Sequence, residues 1–150
     1  MPKRSAGILL YRRRSQIEVL LAHPGGPFWA KKDLGAWSIP KGEIAGDEDA
    51  LAAAMREFHE ETGIVPDGAP HPLGEEKQPG GKIIIVWAVE GDCDTFTLRS
   101  NTFEMEWPPR SGRVSAFPEV DRWEWFTLDQ AETKILPGQR AFLDRLAEKL

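Results

Sequence analysis

The stretch that decides the fold runs from Gly42 to Ile64: Gly-Glu-Ile-Ala-Gly-Asp-Glu-Asp-Ala-Leu-Ala-Ala-Ala-Met-Arg-Glu-Phe-His-Glu-Glu-Thr-Gly-Ile. From Asp47 to Thr62 its composition predicts a helix. Ala50, Ala52, Ala53 and Ala54 are strong helix formers, Asp47 can cap, Glu48 and Asp49 suit the positive N-terminal end, and Gly63 stops it. At about 100° per residue, Glu60 and Glu61 lie roughly −60° and +40° from Glu57, so the three carboxylates share one face. Leu51, Ala54, Met55 and Phe58 fall on the other side, which is expected to pack against a sheet. Crowded carboxylates need neutralisation by water, by Arg56 or by a divalent cation. Mg²⁺ suits hard oxygen ligands and usually keeps waters and substrate phosphates in its shell. A solvated glutamate-rich surface is the competing reading.

Outward from this helix, the chain alternates strand-like and helical segments. Ser5 to Tyr11 and Ile17 to His23 read as a hairpin around the charged turn Arg12 to Gln16. Pro24 to Ala36 is loop-like, and Trp37-Ser38-Ile39 makes a brief strand that Pro40 stops. Leu73 to Lys77 and Lys82 to Glu90 read as strands, the second continuously apolar and β-branched, as expected of burial on both faces. Thr95 to Leu98 and Val120 to Phe126 are expected strands with a long loop between them, marked by Pro108-Pro109 and Ser111-Gly112. Leu128 to Thr133 and Pro137 to Leu150 read as helices. The pattern is α+β, a mixed sheet between helices in a single domain over 1–150.

Composition narrows the function. The chain has 150 residues, 41% hydrophobic and 29% charged, with a net charge of −5. That balance argues against nonspecific nucleic-acid binding, which needs excess Lys and Arg. No apolar run is long enough for a membrane span, and Met1-Pro2-Lys3-Arg4 leads into a strand without a signal-like apolar region, so a cytoplasmic location is expected. Cys93 is the only cysteine, which excludes an intramolecular disulfide and a cysteine-rich zinc site.

The segment as a whole resembles the signature of the Nudix hydrolase family, Gly-x5-Glu-x7-Arg-Glu-U-x-Glu-Glu-x-Gly-U with U apolar. Gly42, Glu48, Arg56, Glu57, Phe58, Glu60, Glu61, Gly63 and Ile64 fill it without departure. Seven fixed identities at average residue frequencies would coincide by chance on the order of 10⁻⁹ of the time at a given position. The resemblance implies an α/β/α sandwich with a mixed central sheet, Mg²⁺ or Mn²⁺, and hydrolysis of a diphosphate bond in a nucleoside diphosphate linked to another group. It also implies roles. Glu57, Glu60 and Glu61 would bind metal together with the carbonyl of Lys41, and Glu57 would orient or deprotonate the attacking water. Arg56 would fix the glutamates, and Glu48 would support it from the first helical turn. Gly42 would let the loop pass close to the metal.

Trp37-Ser38-Ile39-Pro40-Lys41-Gly42 resembles the Trp-x-x-Pro-Lys-Gly run of Nudix enzymes acting on dinucleoside and inositol polyphosphates, which would put Lys41 near the phosphate chain. Dinucleoside polyphosphates are therefore the leading small-molecule substrates, together with (d)NTPs, although Nudix enzymes that cleanse mutagenic nucleoside triphosphates more often have Pro-Gly-Gly here. ADP-ribose-type nucleotide sugars, RNA 5′ ends and a noncatalytic nucleotide sensor are the alternatives. Pro79 stands 15 residues after Ile64, a spacing associated with ADP-ribose hydrolases, but its place in Gln78-Pro79-Gly80-Gly81 reads as a turn. Glu119 is a candidate further carboxylate near the metals. Arg110 and Arg113 are candidate phosphate contacts, and Trp29 and Phe103, with Phe28 and Trp107, candidate stacking partners for a base. His59 reads as a surface histidine, and Trp87, Trp123, Trp125 and Phe126 as core. A homodimer is left open.

Overall fold

The computed structural model describes residues 3–150; Met1 and Pro2, part of the expected leaderless start, lie outside the described residues. Eight strands and three helices follow in the order β1 (Arg4–Arg13), β2 (Ile17–Pro24), β3 (Lys41–Glu43), α1 (Ala50–Thr62), β4 (His71–Lys77), β5 (Ile83–Glu90), β6 (Thr102–Glu106), β7 (Val114–Pro118), β8 (Val120–Thr127), α2 (Leu128–Lys134) and α3 (Arg140–Lys149). The main sheet is ordered β4-β5-β1-β2-β8, with β3 also on β1. β1 and β5 are parallel and the other pairs antiparallel, so the sheet is mixed.

Strand periodicity divides the core. Side chains alternate between the two sides of a strand. Ala6, Ile8 and Leu10 of β1 therefore join Leu20, Ala53, Ala54 and Phe58 under α1. Leu9 and Tyr11 join Val19, Leu21, Phe142, Leu143 and Leu146 under α2 and α3. The result is the expected α/β/α sandwich. The β5 run has buried or half-buried side chains on both faces, as its continuous apolar composition predicts.

Several local expectations are corrected. α1 begins at Ala50 with Asp49, not Asp47, as its cap: the Asp49 carboxylate accepts from the Ala52 amide at 3.1 Å. The helix ends where Gly63 takes φ 80°, a left-handed conformation that favours glycine. Trp37 to Ile39 forms only isolated bridges, Ser38 to Ala22 and Trp37 to Ile135, and the strand comes after Pro40, as β3. Thr95–Thr97 is a 3₁₀ turn, not a strand, because the Asp94 carboxylate captures the Phe96 amide. The supposed long loop contains the β6–β7 hairpin, where half-buried Phe103, Met105, Ser115 and Phe117 alternate with exposed neighbours. Two such positions per strand are too few to stand out in sequence. Pro137–Gln139 is a 3₁₀ turn that precedes α3. Trp123 and Phe126 are core residues, whereas Trp87 and Trp125 are half-buried at its edge.

The site is positioned by a splay between β1 and β2. They pair only at Tyr11 to Arg13, while β3 takes the β1 edge from Ser5 to Gly7. The Trp37–Glu43 segment is wedged into the opening, tied to β2 through Ala22 and Ser38 and to β1 through the Ile8 amide and Pro40 carbonyl.

Candidate active site

Gln139, fully buried, secures the wedge from the far side. Its side-chain oxygen accepts from the Ile39 amide at 2.9 Å, and its nitrogen donates to Ser38 Oγ at 3.1 Å. A second clamp is the buried His23, whose Nε2 lies 2.6 Å from the Lys32 carbonyl and whose Nδ1 lies 2.7 Å from Asp121 Oδ1. A carbonyl only accepts, so Nε2 carries its hydrogen. Trp37 packs edge-on against His23 and Phe126, and its indole donates to Asp33 at 2.8 Å. These contacts fix Pro40 to Glu43 against the end of α1.

Gly42 then meets Glu57. A β-carbon on Gly42 would fall 2.0 Å from Glu57 Cδ, so only glycine leaves room for that carboxylate. Arg56 holds three carboxylates: Nε and Nη2 donate to Glu48 at 2.8 and 3.0 Å, and Nη1 donates to Glu57 at 3.0 Å and to Glu60 at 3.2 Å. Glu48 does this from the loop before α1, where its carboxylate also accepts from the Ala45 amide. The Arg56 pairing pulls the Glu48 carboxyl below its ordinary pKa, and the Arg56 guanidinium is raised, with Glu48 the main cause.

Neutralisation is uneven. Glu57 is raised above the ordinary carboxylate value, chiefly by burial, although Arg56 pulls it back down. Glu61 is pushed up to about 7 by burial and by repulsion from Glu57 and Glu119. Glu119 sits between β7 and β8, its carbonyl accepting from the Gly25 amide at 2.8 Å, and shares with Lys41 and Glu61 the lining of a cavity of about 150 Å³. Burial lowers the Lys41 pKa, against the attraction of Glu61 and Glu57. Among the described residues no three acidic, histidine or cysteine side chains form a ready coordination shell. Arg56 takes up Glu57 and Glu60. The donor chemistry nevertheless fits a hard divalent cation: carboxylate oxygens, partial burial, excess negative charge and a glycine at position 42 that lets the Glu57 carboxylate approach the loop.

Other candidates lie apart from the cavity at Lys41. Arg110, at φ 61°, and Arg113 are exposed at the β6–β7 tip, their amides held by Glu106 and Ser111. Trp29 carries the Lys32 ammonium over its ring at 5.1 Å, Phe28 packs edge-on with Trp107, and Phe103 packs on Phe117 and Gly26. These contacts join hairpin to loop. His59 is exposed on α1. Sequence reading missed the Gln139 and His23 clamps, whose partners lie up to 101 residues away. It also missed a second cavity on the other side of Lys41, of about 330 Å³, lined by Ser5, Gln78, Lys82 and Ile83 among others.

The NUDIX domain profile matches residues 1–146. An RNA pyrophosphohydrolase of Erythrobacter litoralis is 31% identical over 147 residues, covering 86% of this chain and 85% of that one. An 8-oxo-(d)GTP phosphatase of Mycolicibacterium smegmatis is 30% identical over 153 residues, covering 97% of this chain and 42% of that one. A C. elegans Ap4A hydrolase, solved as a binary complex, superposes with a TM-score of 0.65 at 24% identity, covering 98% of this chain and 96% of that one, which shows a shared fold. No helix among the described residues is long and apolar enough to cross a membrane. With the signature from Gly42 to Ile64 folded into a loop and helix that gather its glutamates, the chain belongs to the NUDIX family of hydrolases.

Proposed function

We propose that the chain is a Mg²⁺- or Mn²⁺-dependent pyrophosphohydrolase that cleaves a diphosphate bond in dinucleoside polyphosphates or (d)NTPs. The observation that carries this reading is the concentration of Glu57, Glu61 and Glu119 around Lys41, with Glu61 raised to about 7. Carboxylates only partly neutralised by Arg56 and Lys41 suit a cation, and the adjacent lysine suits phosphate. Glu57, Glu60 and Glu61, with the Lys41 carbonyl, would hold the metal. A bound divalent cation would neutralise the phosphate oxygens, acidify a water and stabilise the leaving phosphate.

The protein's own residues supply position. Gly42 gives Glu57 room to face the bond and orient the attacking water. Arg56 holds Glu57 and Glu60 in place and is itself fixed by Glu48. Glu119 adds a carboxylate from the opposite wall, as ligand or base. The Lys41 ammonium binds the phosphate chain.

A second substrate reading, RNA 5′ ends, is favoured by the relative named as an RNA pyrophosphohydrolase, which aligns over most of both chains. The test is a panel of diadenosine polyphosphates, nucleoside triphosphates, ADP-ribose and 5′-triphosphate RNA with Mg²⁺, followed by chromatography. Wild type should cleave a dinucleoside polyphosphate or a triphosphate, and Glu60→Gln should reduce turnover roughly 10²- to 10³-fold. Undiminished turnover in Glu60→Gln would remove Glu60 from the site. Selective cleavage of the RNA would replace the first substrate reading with the second.

A further inference from the structure

β2 and β8 pair residue for residue from Glu18 and Thr127 as far as His23 and Arg122. There the register slips, so that Pro24 faces Val120 and Asp121 is left over. An extra residue in one strand bends it and re-aims a side chain. Regular alternation sends neighbouring side chains to opposite faces, yet Asp121 and Arg122 turn to the same one. The Asp121 carboxylate meets His23 at 2.7 Å, and the Arg122 guanidinium lies over the ring of Trp37, which itself packs on His23.

This bulge stands two residues from Glu119. Glu119 belongs to neither β7 nor β8, and its backbone is held from two sides. Its carbonyl accepts from the Gly25 amide and its amide donates to the Asn101 carbonyl, both at 2.8 Å. The contact at Gly25 is close. A β-carbon there would fall 1.8 Å from the Pro118 carbonyl oxygen, so the chain just after His23 lies directly against the bend that bears Glu119. Ala22 and Pro24, the neighbours of His23, line the cavity that Glu119 shares with Glu61 and Lys41. His23 itself is fully buried behind them, with both ring nitrogens engaged.

We propose that His23 is a positioning residue for the hydrolysis: through Nδ1 it anchors Asp121 in the bulge, and the anchored bulge holds the Glu119 carboxylate on the cavity wall it shares with Glu61. The Nε2 bond to the Lys32 carbonyl fixes the plane of the ring. The assignment rests on the proposed function for the use made of Glu119, and on the bulge for its place.

The two ring nitrogens can be tested apart. His23→Asn carries an amide to the place of Nδ1 and keeps a partner for Asp121, whereas His23→Gln carries one to the place of Nε2 and keeps a partner for Lys32. Each loses one buried hydrogen bond, so a merely structural histidine predicts equal effects. Both variants of the full chain are crystallised without metal, and steady-state kinetics with Mg²⁺ are measured on diadenosine tetraphosphate and on ATP. In His23→Gln the Glu119 carboxylate should shift by about 1 Å or more, and kcat should fall roughly 10- to 100-fold with KM within about twofold. His23→Asn should keep the wild-type position and kcat. Where exchange of the buried ring prevents folding, the half-buried partner carries the same contrast: Asp121→Ala should reproduce the loss and Asp121→Asn should rescue it. An unmoved Glu119 in His23→Gln and Asp121→Ala, or equal loss of kcat in His23→Gln and His23→Asn, would overturn the assignment. The crystal structures need no turnover, so the two readings separate. A displaced Glu119 with undiminished kcat would keep the positioning and remove Glu119 from the reaction.

Discussion

Two polar clusters flank the Trp37–Gly42 wedge, and they are built oppositely. On one side Gln139, Ser38, His23 and Asp121 satisfy one another and the backbone at 2.6 to 3.1 Å. On the other, Glu57, Glu61 and Glu119 repel one another, and Arg56 reaches only some of the carboxylates around it. The satisfied cluster acts as scaffold. The frustrated one is where the proposed reaction would place a cation, whose charge would relieve that repulsion. The difference distinguishes polar groups that hold the wedge from those the proposed reaction would use.

The most severe way to break the frustrated side is Gly42→Ala. The new methyl would meet Glu57 at 2.0 Å and swing its carboxylate away. Turnover should fall roughly hundredfold or more while the circular dichroism spectrum stays the same, since displacement of a reacting group is costly even when the fold survives. Preserved kcat would show that the Glu57 position is unimportant.

The satisfied side should respond in stability. Gln139→Ala leaves the buried Ile39 amide without its acceptor, at about 1–3 kcal/mol. Chemical denaturation should show that loss, with a fall in melting temperature of roughly 2–4 °C per kcal/mol. A variant as stable as wild type would contradict the view that this clamp holds the wedge.

A third measurement contrasts the clusters through pH. The folded protein keeps the Glu61 proton to about pH 7, whereas an ordinary glutamate releases it near 4.5. The folded state therefore binds more protons across that window, and in EDTA its stability should fall as pH rises through it. Mg²⁺ should flatten the dependence by replacing the proton. Urea midpoints at pH 5 and pH 8, with and without the ion, decide this; identical slopes in both would mean that Glu61 does not feel the cation. The smallest effect is expected for Asp33→Asn, which keeps an acceptor for the Trp37 indole and loses only a partly exposed ion pair with Lys134. Its cost should be at most about 1 kcal/mol, read from the same urea curves, and a larger loss would assign that pair to the scaffold.

Much of the fold was legible because its signals are local. The apolar runs of β1 and β5 and the alanines of α1 each specify an element within about ten residues. The β6–β7 hairpin was missed because each strand buries only part of two side chains. Thr95 to Thr97 was misread because β-branched composition yielded to one capping carboxylate.

The candidate site divides in the same way. Helical geometry alone placed Glu57, Glu60 and Glu61 on one face, because residues three and four apart must be neighbours, and the signature added Arg56, Glu48 and Gly42. Only the tertiary structure brought Glu119 beside Glu61, set Lys41 between two cavities and put Lys82 across from it. It also left Arg110, Arg113 and Phe103 on the hairpin and Trp29 in the loop beside Lys32. The physical reason is range: a helix repeats every few residues, whereas a cavity is made by backbone segments whose separation in sequence carries no periodicity. The sequence by itself determined the sandwich and the carboxylate face; the splay of β1 from β2 decided what that face looks onto.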